Sequence, residues 1–120
     1  SAVVNILGEI EIDAIIAFTR SGFTAKLLSK VKPSVPIIAI SDKEVVCRRL
    51  NLYWDVFPYL MKFDESFTEE LLKNIDEKMI KEKILNAGDK VIITGGLPYL
   101  SVGKTNFIRL HQIGSSGTLY

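Results

Sequence analysis

The chain's 120 residues, 48% hydrophobic and 24% charged, suit one compact domain that buries a single core without metals or disulfides. Its 15 basic residues stand against 14 acidic ones, which argues against disorder and against a polyanion-binding surface, so nucleic acid is not an expected partner. Cys47 is the sole cysteine, excluding an internal disulfide, and no apolar stretch approaches the roughly 20 residues of a bilayer span, so the reading is a soluble, cytoplasmic protein with no membrane partner.

The chain opens with Ser rather than Met, and Val3, Ile6, Leu7 and Ile10 already follow helical spacing, as in a piece of something longer. Ala14-Ile15-Ile16-Ala17-Phe18 then reads as a strand buried on both faces. It stops in Thr19-Arg20-Ser21-Gly22-Phe23-Thr24, and a helical pattern follows to Val31 with Leu27, Leu28 and Val31 inward, ended by Lys32-Pro33. A strand that turns through hydroxyls and glycine into a helix presents backbone N–H groups and the positive end of a helix dipole. With the Arg20 side chain, such a turn suits a phosphate monoester; the same residues also suit an ordinary capped helix start.

Pro36 to Ile40 is the next buried strand, and Ser41 with Glu44 has the spacing of a capping box for a helix carrying Val45, Val46 and Leu50. Trp54 to Tyr59 reads as a short third strand containing Pro58. Ser66 with Glu69 repeats the capping pattern before a long helix whose stripe is Phe67, Leu71, Ile75 and Met79, continued by Leu72, Ile80 and Ile84, with Asn86-Ala87-Gly88 as its end. Lys90 to Thr94 is the fourth strand and Thr105 to about Gln112 the fifth. The ten-residue loop between them is short for a parallel crossover, so the last strand is expected to be antiparallel. The fold class is therefore α/β: a three-layer mixed sheet of about five strands with helices on both faces. Right-handed crossovers place the Thr19 turn at the carboxyl edge of the sheet, where open α/β sheets bind ligands, with the loop after Thr94 on the same edge.

Other reactive side chains carry less. His111, the single histidine, has no partner nucleophile or carboxylate beside it in sequence and reads as a surface residue of the last strand. Cys47 reads as a small half-buried apolar residue rather than a reactive thiol, and Arg48 and Arg49 as facing a partner subunit or water. Asp13, Asp42, Asp55 and Asp64 fall near element boundaries without the grouping of a metal site, and no catalytic constellation is present.

The succession T-R-S-G-F-T-A-K-L-L-S-K, K-P-S-V-P-I-I-A-I-S, R-R-L-N-L-Y-W-D-V-F-P, G-D-K-V-I-I-T-G-G-L-P and G-K-T-N-F-I-R-L resembles the C-terminal domain of pyruvate kinase over roughly residues 1–113. The segment 114–120, beginning Gly-Ser-Ser-Gly, reads as a flexible tail. In that family the domain is regulatory. Catalysis, with its magnesium and potassium ions, belongs to a preceding barrel that this chain does not resemble, so no cofactor is expected here. The resemblance implies that Thr19, Arg20, Ser21, Gly22 and Thr24 hold an effector phosphate, that the loop containing Gly95, Gly96, Pro98, Ser101, Gly103 and Lys104 closes over the ligand, and that the domain helps assemble a homo-oligomer. Lys104 suits either a ligand phosphate or water, and Tyr99 either a base or packing under the loop.

Members activated by fructose 1,6-bisphosphate carry Trp and Arg near the start of the long helix, where this chain has Asp64-Glu65-Ser66-Phe67-Thr68-Glu69-Glu70-Leu71. Carboxylates facing a second phosphate oppose its binding, so AMP or a sugar or glycerate monophosphate is expected ahead of the bisphosphate. The alternative is a structural oligomerisation module with no physiological ligand.

Overall fold

A computed structural model describes residues 11–30, 34–64, 67–95 and 107–115. The run Ala14–Phe18 forms β1, and every one of its residues is buried. β1 is the middle strand of a five-stranded sheet in the order β3-β2-β1-β4-β5, with β2 Ile37–Ser41, β3 Val56–Leu60, β4 Lys90–Gly95 and β5 Phe107–Gln112. It pairs in parallel with β2 and β4, and β2 with β3, whereas β4 and β5 are antiparallel, as the short connection requires.

Alternate residues of the central strands feed two separate cores. Ile15, Ala17, Ile37, Ala39 and Ile92 meet Ala25 and Leu28 of helix α1 (Phe23–Lys30) and Val46 and Leu50 of α2 (Glu44–Leu50). Ile16, Phe18, Ile38, Ile40, Val91 and Ile93 meet Leu71, Leu72, Ile75 and Met79 of α3 (Glu69–Lys81) on the other face. Helices on both faces explain why these strands lack polar alternation. After β3 the chain returns to the far side of β1. The strand order therefore reverses between β1 and β4, whose carboxyl ends, Phe18 and Gly95, are register partners.

Local signals were displaced in several places. Ser41 belongs to β2, is fully buried and accepts from the Lys43 amide at 3.2 Å, so α2 starts with Lys43 as N-cap and no side-chain cap, two residues beyond the expected box. The cap of α3 is Thr68, whose hydroxyl accepts from the Leu71 amide at 3.1 Å. Ser66, the expected cap, lies outside the described residues, as do residues 1–10, Val31 to Pro33, Thr105 and the segment from Ser116. The third strand begins at Val56 rather than Trp54, because Trp54 is 79% exposed and Asp55 takes φ 59° in the preceding turn. Pro58 is tolerated there because β3 is an edge strand. Gly114 and Ser115 close a turn in which the Ser115 hydroxyl donates to the Gln112 carbonyl at 2.7 Å.

Helix α3 ends before Asn86-Ala87-Gly88. The Ile84 amide reaches the Met79 carbonyl at 2.9 Å and the Lys83 amide the Ile80 carbonyl at 3.1 Å, a Schellman pair with Lys83 in the left-handed region at φ 58°. Gly88 instead shapes the turn into β4, at φ 95°, donating to the Ile113 carbonyl at 2.8 Å. A lysine where glycine is favoured carries a steric penalty of about 1 kcal/mol. Lys83→Gly is accordingly expected to raise the unfolding free energy by about that amount, read as a higher urea midpoint at unchanged slope.

Candidate functional site

Thr19, the first residue after β1, is buried and its hydroxyl accepts from the Gly22 amide at 2.7 Å. That bond closes the turn and sends the chain into α1, whose first turn is continued by Lys26 donating to the Gly22 carbonyl at 2.9 Å. Gly22 takes φ 88°, and a Cβ there would lie 3.4 Å from side-chain carbons of both Val46 and Leu50. Glycine serves here both for the conformation and for the close approach of α2. Thr24 is buried in the first turn of α1, and Ser21 is exposed.

Arg20 leaves the turn toward α3. Its Nη2 donates to the Phe63 carbonyl at 2.8 Å, its guanidinium lies 4.9 Å from the centre of the Phe63 ring, and Nη1 is 3.8 Å from Asp42 Oδ2. Phe63 is held edge-on against Phe18 of β1, with ring centres 5.0 Å apart. Arg20 Nε and Asp42 Oδ1 are buried and have no hydrogen-bond partner among the described residues. Both residues line a cleft of about 860 Å³ at the carboxyl edge, with Lys62, Asp64, Thr68 and Glu70. Two cations there face three carboxylates.

The five residues expected to hold a phosphate thus form one turn at the predicted edge, but their side chains diverge: Arg20 enters the large cleft, while Ser21 and Gly22 line a smaller one between α1 and α2. Of the expected loop, Gly95 ends β4 opposite Phe18, while Gly96, Pro98, Ser101, Gly103 and Lys104, with Tyr99, lie outside the described residues. Sequence reasoning missed Asp42 and Phe63 as partners of Arg20. Asp42 had a signal, since it follows β2 as Arg20 follows β1; the Phe63 carbonyl had none.

His111 is corrected outright. It is buried rather than on the surface, and its Nε2 lies 2.8 Å from Oδ1 of Asp76 on α3. Position 111 pairs with Val91 of β4, so its side chain points into the core under α3, where a single histidine persists only with a polar partner. Cys47 is half-buried, and burial pushes its thiol above the usual range, aided by Asp42 and Glu44 against a Ser41 backbone hydrogen bond. Arg48 is exposed and bound to Glu44 at 2.7 Å; Arg49 is also exposed. Among the described residues, no cluster of three or more His, Cys, Asp or Glu side chains is placed to hold a metal, and no helix is long and apolar enough to cross a membrane.

Tyr59 of β3 is tied through its hydroxyl to Glu82 beyond α3, and burial first, then that carboxylate, pushes its phenol up to about 12. A raised value in the folded chain means stability that is whole below the ordinary tyrosine pKa of about 10 and is lost as pH rises through the folded value. The difference between the tyrosinate titrations of the parent chain and Tyr59→Phe is expected to show a transition near pH 12.

The fold defines an open α/β domain with a mostly parallel sheet, its Thr19 turn lying where the strand order reverses. Comparison with known proteins agrees: the family described as pyruvate kinase, alpha/beta domain, matches residues 1–111. The chain belongs to that family. It is 38% identical over 105 residues to the pyruvate kinase of Sporosarcina psychrophila and 35% identical over 105 residues to that of Staphylococcus saprophyticus, covering 88% of this chain and 18% of each relative. It thus spans less than a fifth of the curated relatives it matches. A crystal structure of a Cryptosporidium parvum pyruvate kinase superposes with TM-score 0.74 at 26% identity, covering 93% of this chain and 21% of the other. Cryptosporidium parvum pyruvate kinase in complex with ADP gives 0.76 at 27%, covering 93% and 22%.

Proposed function

We propose that this chain is the effector-binding and assembly domain of a cytoplasmic pyruvate kinase, not catalytic by itself. In this reading a preceding barrel transfers the phosphoryl group of phosphoenolpyruvate to ADP with its own magnesium and potassium ions. A phosphorylated metabolite at the carboxyl edge then alters subunit packing. The observation that carries the reading is that Arg20 Nε and Asp42 Oδ1 are buried without a hydrogen-bond partner among the described residues, in two side chains that line a cleft of about 860 Å³ at the switch point of the sheet. Buried polar atoms without partners are uncommon, and a guanidinium nitrogen beside a carboxylate oxygen suits a ligand offering both an anionic oxygen and a hydroxyl donor.

A phosphate monoester of a sugar, glycerate or nucleoside has both groups. The loop from Gly95 to Lys104 would cover the ligand. Asp64 and Glu70 in the same cleft oppose a second phosphate, which favours a monophosphate over fructose 1,6-bisphosphate. Calorimetric titration of the chain with AMP, ribose 5-phosphate, glucose 6-phosphate, 3-phosphoglycerate and fructose 1,6-bisphosphate is expected to give saturable heat with at least one monophosphate. Arg20→Gln is expected to abolish it. Absence of heat from all five at millimolar concentration overturns the reading.

One observation favours a second reading, a structural oligomerisation module without a ligand: the Gly22 amide and the Arg20 Nη2 are already bonded within the chain. On that reading a parent enzyme's kinetics are indifferent to metabolites, and Thr19→Ala changes only stability.

A further inference from the structure

The contact between Arg20 and Asp42 is open. Nη1 and Oδ2 stand 3.8 Å apart, too far for a hydrogen bond, and Nη2 is already bonded to the Phe63 carbonyl. Nε and Oδ1 are buried, so the exposed part of the two side chains, 30% and 22%, leaves Nη1 and Oδ2 as the polar atoms a ligand meets. The first only donates and the second, as a carboxylate oxygen, only accepts. A ligand that bridges them must carry an acceptor and a donor on neighbouring atoms.

Charge narrows the choice. The cleft gathers Arg20 from the turn, Asp42 from just after β2, Lys62 and Asp64 from the segment after β3, and Glu70 from α3, so its lining carries more negative than positive groups. On α2, Cys47 lies within reach of the Asp42 charge, and Glu44 is bound by Arg48 at 2.7 Å. A fully ionised phosphate monoester brings two charges and no donor, and would turn a bare oxygen toward the Asp42 carboxylate. Its monoanion, formed below a second ionisation at about pH 6, has one charge and carries a P–OH beside a P–O⁻. We propose that Arg20 and Asp42 bind a phosphate monoester as its protonated monoanion, one oxygen accepting from Arg20 Nη1 while the P–OH donates to Asp42 Oδ2, so that sulfate esters are rejected. This role of Asp42 rests on the effector reading above, to which it adds the protonation state of the ligand.

Methyl phosphate and methyl sulfate are the probes. At about pH 5, roughly a unit below the second ionisation of the phosphate, each carries mainly one negative charge on the same tetrahedral shape, and only the phosphate has a proton to donate. Each is titrated into the isotope-labelled chain there and at about pH 7.5, above that ionisation, and followed by amide chemical shifts. At the lower pH methyl phosphate is expected to bind about tenfold more tightly than methyl sulfate, the effect of one hydrogen bond to a charged group, and to lose that advantage at the higher pH. Asp42→Asn should abolish the preference, because an amide donates to an unprotonated oxygen as readily as it accepts from a protonated one. The same spectra report whether the variant keeps its fold; if it does not, the parent chain's comparison at the two pH values decides. Equal affinity for the two anions at the lower pH, a phosphate preference that grows with pH or survives in folded Asp42→Asn, or no saturable shift with either anion would each overturn the proposal. Heat from a monophosphate in the five-ligand calorimetry without a preference here removes only the role of Asp42, whereas no heat from any of the five removes both.

Discussion

Asp76→Ala is expected to destabilise the chain by about 1–3 kcal/mol, the cost of leaving a buried polar group without its partner. Asp76 on α3 and His111 on β5 meet at 2.8 Å, with both side chains only 5% exposed. Removing the carboxylate leaves a ring nitrogen in the core that water reaches poorly. Arg109 and Glu69 join the same two elements at 3.7 Å, but those side chains are 45% and 80% exposed, so Glu69→Gln is expected to cost less than about 1 kcal/mol. Urea unfolding of both variants tests the contrast. If Asp76→Ala abolishes folding, the double replacement Asp76→Leu with His111→Leu decides: the two facing polar groups go together, and part of the lost stability should return. A similar small cost for Asp76→Ala and Glu69→Gln would refute the buried pair.

Ile75→Ala and Ile80→Ala remove the same atoms from the same helix, yet the first is expected to cost about 2–5 kcal/mol and the second less than about 1. Ile75 is fully buried in the core between α3 and the sheet, whereas Ile80 is 38% exposed. Helical geometry gives the reason. At about 100° per residue Ile80 sits well around the helix from Met79, past the edge of the stripe, and Ile84 lies beyond the last helical residue. Equal urea midpoints for the two variants would show that the stripe is not the buried face.

The strands were legible because burial on both faces leaves an unbroken apolar run, as in Ile37 to Ile40, and such runs admit few alternatives in a chain that alternates them with helices. Helix boundaries were less so. Ser41 and Gly88 carry the right chemistry for a cap and a stop, but Ser41 is taken into β2 and Gly88 into the turn before β4, where it bonds Ile113, and Lys83 took the left-handed position that no sequence rule assigns to lysine. His111 was misjudged because its partner lies 35 positions away and only the packing of α3 over β5 brings them together.

Periodicity and turn chemistry alone placed the Thr19–Thr24 turn at the end of the central strand, since both are local properties read within a few residues. Which way each side chain of that turn goes is a tertiary matter. Arg20 is drawn to one side by the Phe63 carbonyl and Asp42, while Gly22 is pressed against α2 on the other. These partners come from the residue after β2, the segment after β3 and α2, so the division into two clefts of opposite electrostatic character arises only when the sheet assembles. Coulombic and hydrogen-bond energies depend on distance in space, and distance along the chain does not report it.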